Sequence, residues 1–127
     1  MRTKRKTWFF LSIILLLSLS SVTWAAEKGF LWNGTHWKDL TPEIRVAYVK
    51  GIGNMADFEV GMGTGGRAGC ISQAFVNELK TKTIAQIIQE VDKYYKDNPK
   101  KMATPVIEVI MRRCTALCPP ETATKAK

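Results

Sequence analysis

Apolar residues between Thr83 and Asn98 recur at intervals of three and four positions, which is the spacing of one face of an α-helix. Thr83 and Gln86 form the Thr-x-x-Gln capping box that begins many helices, and Asn98-Pro99 is a helix stop. The pattern therefore predicts a helix that buries one stripe of side chains, consisting of Ile84, Ile87, Ile88, Val91, Tyr94 and Tyr95.

Three further segments share this helical spacing. Thr41-Pro42 supplies an N-cap and a first-turn proline, and the apolar positions that follow are Ile44, Ala47, Tyr48, Ile52 and Met55. Thr104-Pro105 repeats this start, and the face predicted after it contains Ile107, Ile110, Met111, Cys114 and Cys118. Between them a short helix is predicted to carry Ile71, Ala74, Phe75 and Leu79 on one side. Because no segment alternates as a strand does, we predict an all-α fold: a small bundle of three main helices plus one short helix.

The ends of the chain do not fit this bundle. Residues 1–25 combine a basic start with an apolar run, Trp8 to Val22, and small residues before Ala26, which is typical of a secretory signal peptide cleaved after Ala25. The apolar run is too short for a membrane-spanning helix, which needs about 20 residues, so no stable membrane insertion is expected after cleavage. We predict an irregular segment at 26–40, a helical domain at 41–118 and a disordered tail at 119–127.

Charge and cysteine content narrow the class of protein. The chain has a net charge of +8, and residues 1–25 hold four of its 19 basic residues and none of its 11 acidic ones, which leaves the mature chain near +4. An exported protein with scattered lysines is not expected to bind nucleic acid. Export to the periplasm or beyond implies an oxidising compartment, so three cysteines predict one disulfide and one spare thiol.

Catalytic and cofactor-binding chemistry find little support in the sequence. His36 is the only histidine, and no nucleophile–base arrangement can be assigned, so neither a catalytic residue nor a cofactor is predicted. Cys114 and Cys118 lie four positions apart, and with His36 and the methionines Met55, Met62, Met102 and Met111 they suggest one alternative function, a small metal-handling or redox protein. A helical envelope protein without enzymatic activity is the other alternative.

The stretch "GMGTGGRAGC", Gly61 to Cys70, raises a separate question. It follows a predicted helix rather than a strand and lacks the Gly-Lys-Ser/Thr ending of a phosphate-binding loop, so a nucleotide site is not predicted. Two interpretations remain, a flexible linker and an exposed loop that contacts a partner. We predict that the loop is mobile in the free protein and belongs to a partner-binding surface made of Gly61, Gly63, Gly65, Gly66, Arg67 and Gly69.

From Tyr48 onward the chain resembles the Tai-like family, exported immunity proteins that act against amidase effectors of type VI secretion. The resemblance lies in "AYVKGI" before a variable loop, the isolated Cys70, the helix "TIAQIIQEVDKYYKDNP", and the last helix "PVIEVIMRRCTALCP", which closes near a cysteine. It covers about two-thirds of the mature chain.

The resemblance implies a periplasmic protein that is not an enzyme and that neutralises a peptidoglycan amidase by occluding its active-site cleft. It favours a Cys70–Cys118 disulfide, with Cys114 as the alternative partner of Cys70. A homodimer is left open by the sequence. In this setting the glycine loop is expected to enter the cleft of the amidase, where Arg67 would bond to an acidic group.

Overall fold

The computed structural model describes residues 31–121, which form five α-helices and one short 3₁₀ helix without any strand. The helices are α1 (Gly34–Asp39), α2 (Pro42–Gly61), α3 (Gly66–Leu79), α4 (Ile84–Asp97) and α5 (Val106–Leu117), with the 3₁₀ helix at Pro99–Lys101. The predicted all-α class is confirmed for this part of the chain. The predicted signal peptide at 1–25 and the tail after residue 121 lie outside the described residues.

The number and lengths of the helices differ from the prediction. The helix expected to be short, α3, has 14 residues and begins inside the glycine stretch at Gly66, so four long helices are present rather than three. The segment expected to be irregular before Thr41 contains α1, whose start is capped by Asn33 and His36 in a reciprocal pair of hydrogen bonds. A non-classical pair of this kind, with histidine at the third helical position, was not anticipated from the sequence.

Two helix starts follow the expected capping chemistry and one does not. The Thr41 hydroxyl accepts a hydrogen bond from the Ile44 N–H, and Thr83 and Gln86 form the predicted capping box. In contrast, the residue that precedes α5 is Pro105, whose side chain makes no capping hydrogen bond. The carbonyl of Thr104 instead accepts a 2.7 Å hydrogen bond from the Tyr95 hydroxyl, which ties α4 to the loop before α5.

The four long helices close a ring of contacts in which α2 packs on α3 and α4, and α5 packs on the same two helices. Their shared core is apolar and is made of Val49, Ala56, Phe75, Ile87, Val91, Tyr95, Val106, Ile110 and Cys114, together with Trp37 from α1. The stripe predicted on α4 is confirmed, since each of its residues is buried or packs against this core. The face predicted on α3 also packs in or against this core, and so does most of the face predicted on α5, except that Ile107 lines a surface groove.

The face predicted for α2 is wrong in part, because Tyr48 and Ile52 pack against the core but its other three residues are exposed. The core side of this helix contains Val49, Gly53 and Ala56, whereas Ile44 and Met55 are 43% and 55% exposed. Small residues on the core side let α3 approach closely: a Cβ added at Gly53 would lie 2.9 Å from Leu79 Cδ1. A close helix approach is therefore present at Gly53, while Gly51 is exposed and faces open space.

Short α1 is fixed to the bundle through Trp37, which is buried. Its indole N–H donates a 2.7 Å hydrogen bond to the Asp92 carboxylate of α4. Arg45 of α2 bonds to the same carboxylate and to the Trp37 carbonyl, both at 3.2 Å. Trp32 stacks on the ring of Tyr48 at a centroid distance of 5.2 Å, so both tryptophans contribute to packing.

Cys70 in the first turns of α3 and Cys118 at the end of α5 form a disulfide, and Cys114 is a buried free thiol. The pairing that the family resemblance favours is thus the one in the structure. Its partners are 48 residues apart in sequence, and closing a loop of this size stabilises a fold by roughly 2–4 kcal/mol. A disulfide is consistent with an oxidising compartment. Between residues 31 and 121, no helix has both the length and the apolar character needed to cross a membrane.

Candidate functional site

Helix α2 carries a second apolar face that is largely exposed in the described part of the chain. Besides Ile44 and Met55, Phe58 is 60% and Met62 is 69% exposed. The four residues Ile44, Met55, Phe58 and Met62 are separated by 11, three and four positions. This spacing places their side chains along one side of the helix, away from Val49 and Gly53. We call these four residues the α2 stripe. Single exposed apolar residues are common on protein surfaces, but an aligned set of this size is typical of an interaction surface.

The glycine stretch continues directly from the α2 stripe. Gly61 is the last residue of α2, and Gly66 through Gly69 form the first turn of α3, so the connection comprises only residues 62–65. Backbone hydrogen bonds from Met62 to Phe58, from Gly63 to Val60 and from Thr64 to Glu59 close it at 2.9–3.0 Å. The expected nine-residue loop is therefore wrong in extent, and the connection is a tight turn, which we call the glycine turn.

Three of the glycines have specific geometric roles in this turn. Gly63 and Gly66 have φ angles of +70° and +67°, a left-handed conformation that side chains disfavour. At Gly69, which is buried, an added Cβ would lie 1.8 Å from the Thr64 carbonyl oxygen. The high glycine content, which could indicate a flexible linker, is thus required by a tight turn between two closely packed helices.

The predicted partner-binding residues are divided between surface and interior. Gly61, Gly63, Gly65 and Gly66 are exposed at the end of the α2 stripe, whereas Gly69 is buried. Arg67 is half-buried, and its Nε is enclosed without a hydrogen-bond partner among residues 31–121. The exposed backbone of the glycine turn and Met62 therefore form one continuous surface, with Arg67 at its edge.

An apolar groove of about 470 Å³ lies beside the α2 stripe, between α2, α3 and α5. This volume is within the range of ligand-binding clefts. Most of its wall is aliphatic or thioether side chain, and Met55 belongs to both the groove and the stripe. The large apolar side chains that line it are Leu31, Ile52, Met55, Ile71, Ile107 and Met111. On the wall, the buried Ser72 hydroxyl donates a hydrogen bond to the Glu59 carboxylate.

A network of four charged side chains occupies the opposite flank, where α3, α4 and α5 meet. Glu78 of α3 and Glu90 of α4 each bond to both Arg113 and Lys82, and Lys82 lies 3.0 Å from Glu78 and 2.7 Å from Glu90. The Cys114 thiol donates to the second oxygen of Glu78 at 3.4 Å. Each carboxylate is thus paired with two cationic side chains, and these ion pairs link three helices.

The pKa directions in this network follow from burial and from these hydrogen bonds. Burial alone raises the pKa of Glu78, but hydrogen bonds from Lys82, Arg113 and Cys114 outweigh it and hold the pKa below its ordinary value. The pKa of Glu90 is lowered in the same way, by Arg113 and Lys82 against the effect of burial. Burial, and then the neighbouring Glu78, raise the pKa of Cys114 to about 11, so this thiol stays protonated near neutral pH.

Of the residues of the metal or redox alternative, Met55 and Met111 line the same groove, but the cysteine pair and His36 are not brought together with them. Cys118 is bonded to Cys70, so Cys114 and Cys118 are not a pair of free thiols. His36 takes part in the cap of α1, and Met102 lies beside Gly34. Across residues 31–121, no group of three or more His, Cys, Asp or Glu residues is placed to hold a metal ion.

Sequence reasoning missed the α2 stripe and the groove. Phe58 and Met62 continue the spacing of Ile44 and Met55, and that continuation was the available signal. Comparison of the chain with family models, curated proteins and solved structures finds no significant match. The resemblance to the Tai-like family therefore stays a hypothesis.

Proposed function

We propose that this chain is a periplasmic binding protein without enzymatic activity, which neutralises a cell-wall amidase by occluding its active-site cleft. The observation that carries the proposal is the α2 stripe, which runs along one helix into the exposed glycine turn. This combination offers an apolar contact surface next to a protruding, slim segment of backbone.

The α2 stripe has enough unburied surface to support binding. Full burial of a side chain such as Phe or Met contributes about 1.5–3 kcal/mol, and Met55, Phe58 and Met62 each retain more than half of their exposure. Covering the three side chains would thus contribute on the order of 4 kcal/mol before the cost of association. The glycine turn would add backbone hydrogen-bonding groups that few side chains shield.

The amidase as partner is drawn from the family resemblance. Its support is that the Cys70–Cys118 pairing implied by the resemblance is the pairing found here. A narrow turn fixed between two helices is also suited to entering a cleft. Because backbone hydrogen bonds from Met62, Gly63 and Thr64 already close the turn, less backbone entropy would be lost on covering it than for an open loop.

The test is inhibition of peptidoglycan hydrolysis by purified amidases, including any encoded beside the gene for this chain. Wild-type mature protein should abolish hydrolysis by its cognate enzyme at a stoichiometric ratio. Phe58→Glu should weaken inhibition at least about tenfold, because a carboxylate would be desolvated at the interface. Gln89→Glu places the same charge on an exposed position of α4 and should inhibit as wild type does. Failure of wild type to inhibit any of these enzymes would refute the proposal.

A further inference from the structure

The groove between α2, α3 and α5 has a charge opposite to that of the chain. Among the described residues that line it, only Glu59 and Glu108 are charged, and both are acidic, although the mature chain is net positive. Neither forms an ion pair with another residue between 31 and 121. The groove therefore combines apolar walls with two carboxylates that have no cationic partner in the described chain.

Glu59 is held in a defined position. The Ser72 hydroxyl, from a residue only 4% exposed, donates to its Oε2, and no described residue donates to its Oε1. Unpaired carboxylates next to an apolar wall favour an approaching ammonium or guanidinium group, because charge-assisted hydrogen bonds are stronger where water is partly excluded. Lysine and arginine also bury aliphatic stems along apolar surface while their charged ends reach polar groups.

We propose that this groove binds a polypeptide segment in which a large apolar side chain is adjacent to lysine or arginine. The apolar side chain lies against Ile52, Ile71 and Met111, and the cationic group bonds to Glu59 or to Glu108. The inference rests on the proposed function, since it states the chemistry of the partner segment that docks beside the α2 stripe. Met55, shared by the groove and the stripe, joins the two surfaces.

The test uses the full mature chain and three blocked synthetic peptides of equal length, with the central sequences Leu-Lys-Leu, Leu-Glu-Leu and Gly-Lys-Gly. Binding is followed by chemical-shift changes in the NMR spectrum of isotope-labelled protein. The Leu-Lys-Leu peptide should shift amide signals of groove residues on α2, α3 and α5. The other two peptides should bind at least about tenfold more weakly, because each lacks one of the two required contacts.

The variant Glu59→Gln/Glu108→Gln keeps the shape of both side chains and an acceptor for Ser72, and it should bind the Leu-Lys-Leu peptide about tenfold more weakly or worse. Its matched control, Asp39→Asn/Asp57→Asn, removes two exposed carboxylates outside the groove and should bind as wild type does. Equal binding of the basic and acidic peptides, unchanged binding by the groove variant, or shifts confined to another surface would overturn the inference.

A negative result in the peptide titration and a negative result in the amidase assay reject different proposals. Peptide binding in the groove with no amidase inhibited would reject the proposed function and leave the groove chemistry standing. Amidase inhibition without selective peptide binding would reject the groove chemistry alone.

Discussion

Gly69→Ala tests whether the glycine stretch is a packed turn or slack chain. Alanine at this position would place a Cβ 1.8 Å from the Thr64 carbonyl oxygen and 2.7 Å from its carbon, whereas real Cβ contacts essentially never fall under 3.0 Å. The contact is with backbone, so no side-chain rotation can relieve it. Helix α3 and the turn must move apart by more than about 1 Å, which is a severe form of overpacking.

The magnitude combines three effects. Overpacking costs up to about 3 kcal/mol, and the displacement also strains the hydrogen bonds from Gly69 to Gly65 and from Thr64 to Glu59, worth about 1 kcal/mol each. Alanine regains about 1 kcal/mol of helix propensity. We therefore expect a net loss on the order of 3 kcal/mol in the free energy of unfolding, or a Tm lower by about 10–20 °C for a domain of this size.

The assay is guanidinium unfolding of the mature, disulfide-bonded chain, followed by far-ultraviolet circular dichroism. Gly61→Ala is the matched control, because Gly61 is in a helix and a Cβ there would meet nothing within 4 Å. It should raise the free energy of unfolding by up to about 1 kcal/mol. If Gly69→Ala is as stable as Gly61→Ala, the turn is not packed in this way and the stretch is only a linker.

Three further predictions concern the core, the charge network and the free thiol. Ile87→Asp should leave the domain unfolded at 25 °C, because an unpaired carboxylate would be buried, whereas Gln89→Asp on the exposed face should change stability by less than about 0.5 kcal/mol; equal melts would contradict the assigned helix face. The lowered pKa of Glu78 contributes stability that is present above its unfolded value, about 4.3, and is lost as pH falls through the folded value. The free energy of unfolding should therefore decrease as the pH is lowered from about 4.5. Glu78→Gln should make this decrease smaller and should cost about 1–3 kcal/mol at pH 7. If the variant has the same pH profile as wild type, the result argues against the network. Cys114 should not react with a thiol reagent at pH 8 until guanidinium exposes one thiol per chain, and rapid reaction of the folded protein would contradict its burial.

Local signals in the sequence identified the capped helices. Thr83 and Gln86 act within one turn, and the stripe on α4 is unbroken, so both could be predicted without knowledge of neighbours. The start of α5 was less predictable, because Thr104 contributes its carbonyl to Tyr95 rather than a cap to its own helix. This hydrogen bond depends on the position of α4, so the residues near Thr104 in the sequence do not predict it.

The core face of α2 could not be chosen from periodicity alone. The helix has apolar residues on two sides, and the side that is buried carries the smaller ones, Val49, Gly53 and Ala56. Their selection depends on the approach of Leu79 from α3, a tertiary contact. The bulkier residues Met55, Phe58 and Met62 remain exposed. Because the larger apolar residues of α2 lie outside the core, they form the candidate interaction surface.

The glycine turn and the charge network also required the three-dimensional arrangement. A run of glycines has the same composition whether it is flexible or needed for positive φ and close approach, and only the geometry at Gly63, Gly66 and Gly69 distinguishes the two. Glu78, Glu90 and Arg113 lie on three separate helices, so nothing in their spacing indicated that they meet.

The most direct test of the central claim is hydrogen–deuterium exchange of the chain, alone and mixed with a cell-wall amidase that it is proposed to inhibit. Exchange should be slower in the complex for the last two turns of α2 and for the glycine turn, residues 55–65. Exchange on the outer face of α4 should stay unchanged. Protection confined to α4 or the charge network, or no protection in the presence of any amidase, would contradict the claim that the α2 stripe and the glycine turn form the partner-binding surface.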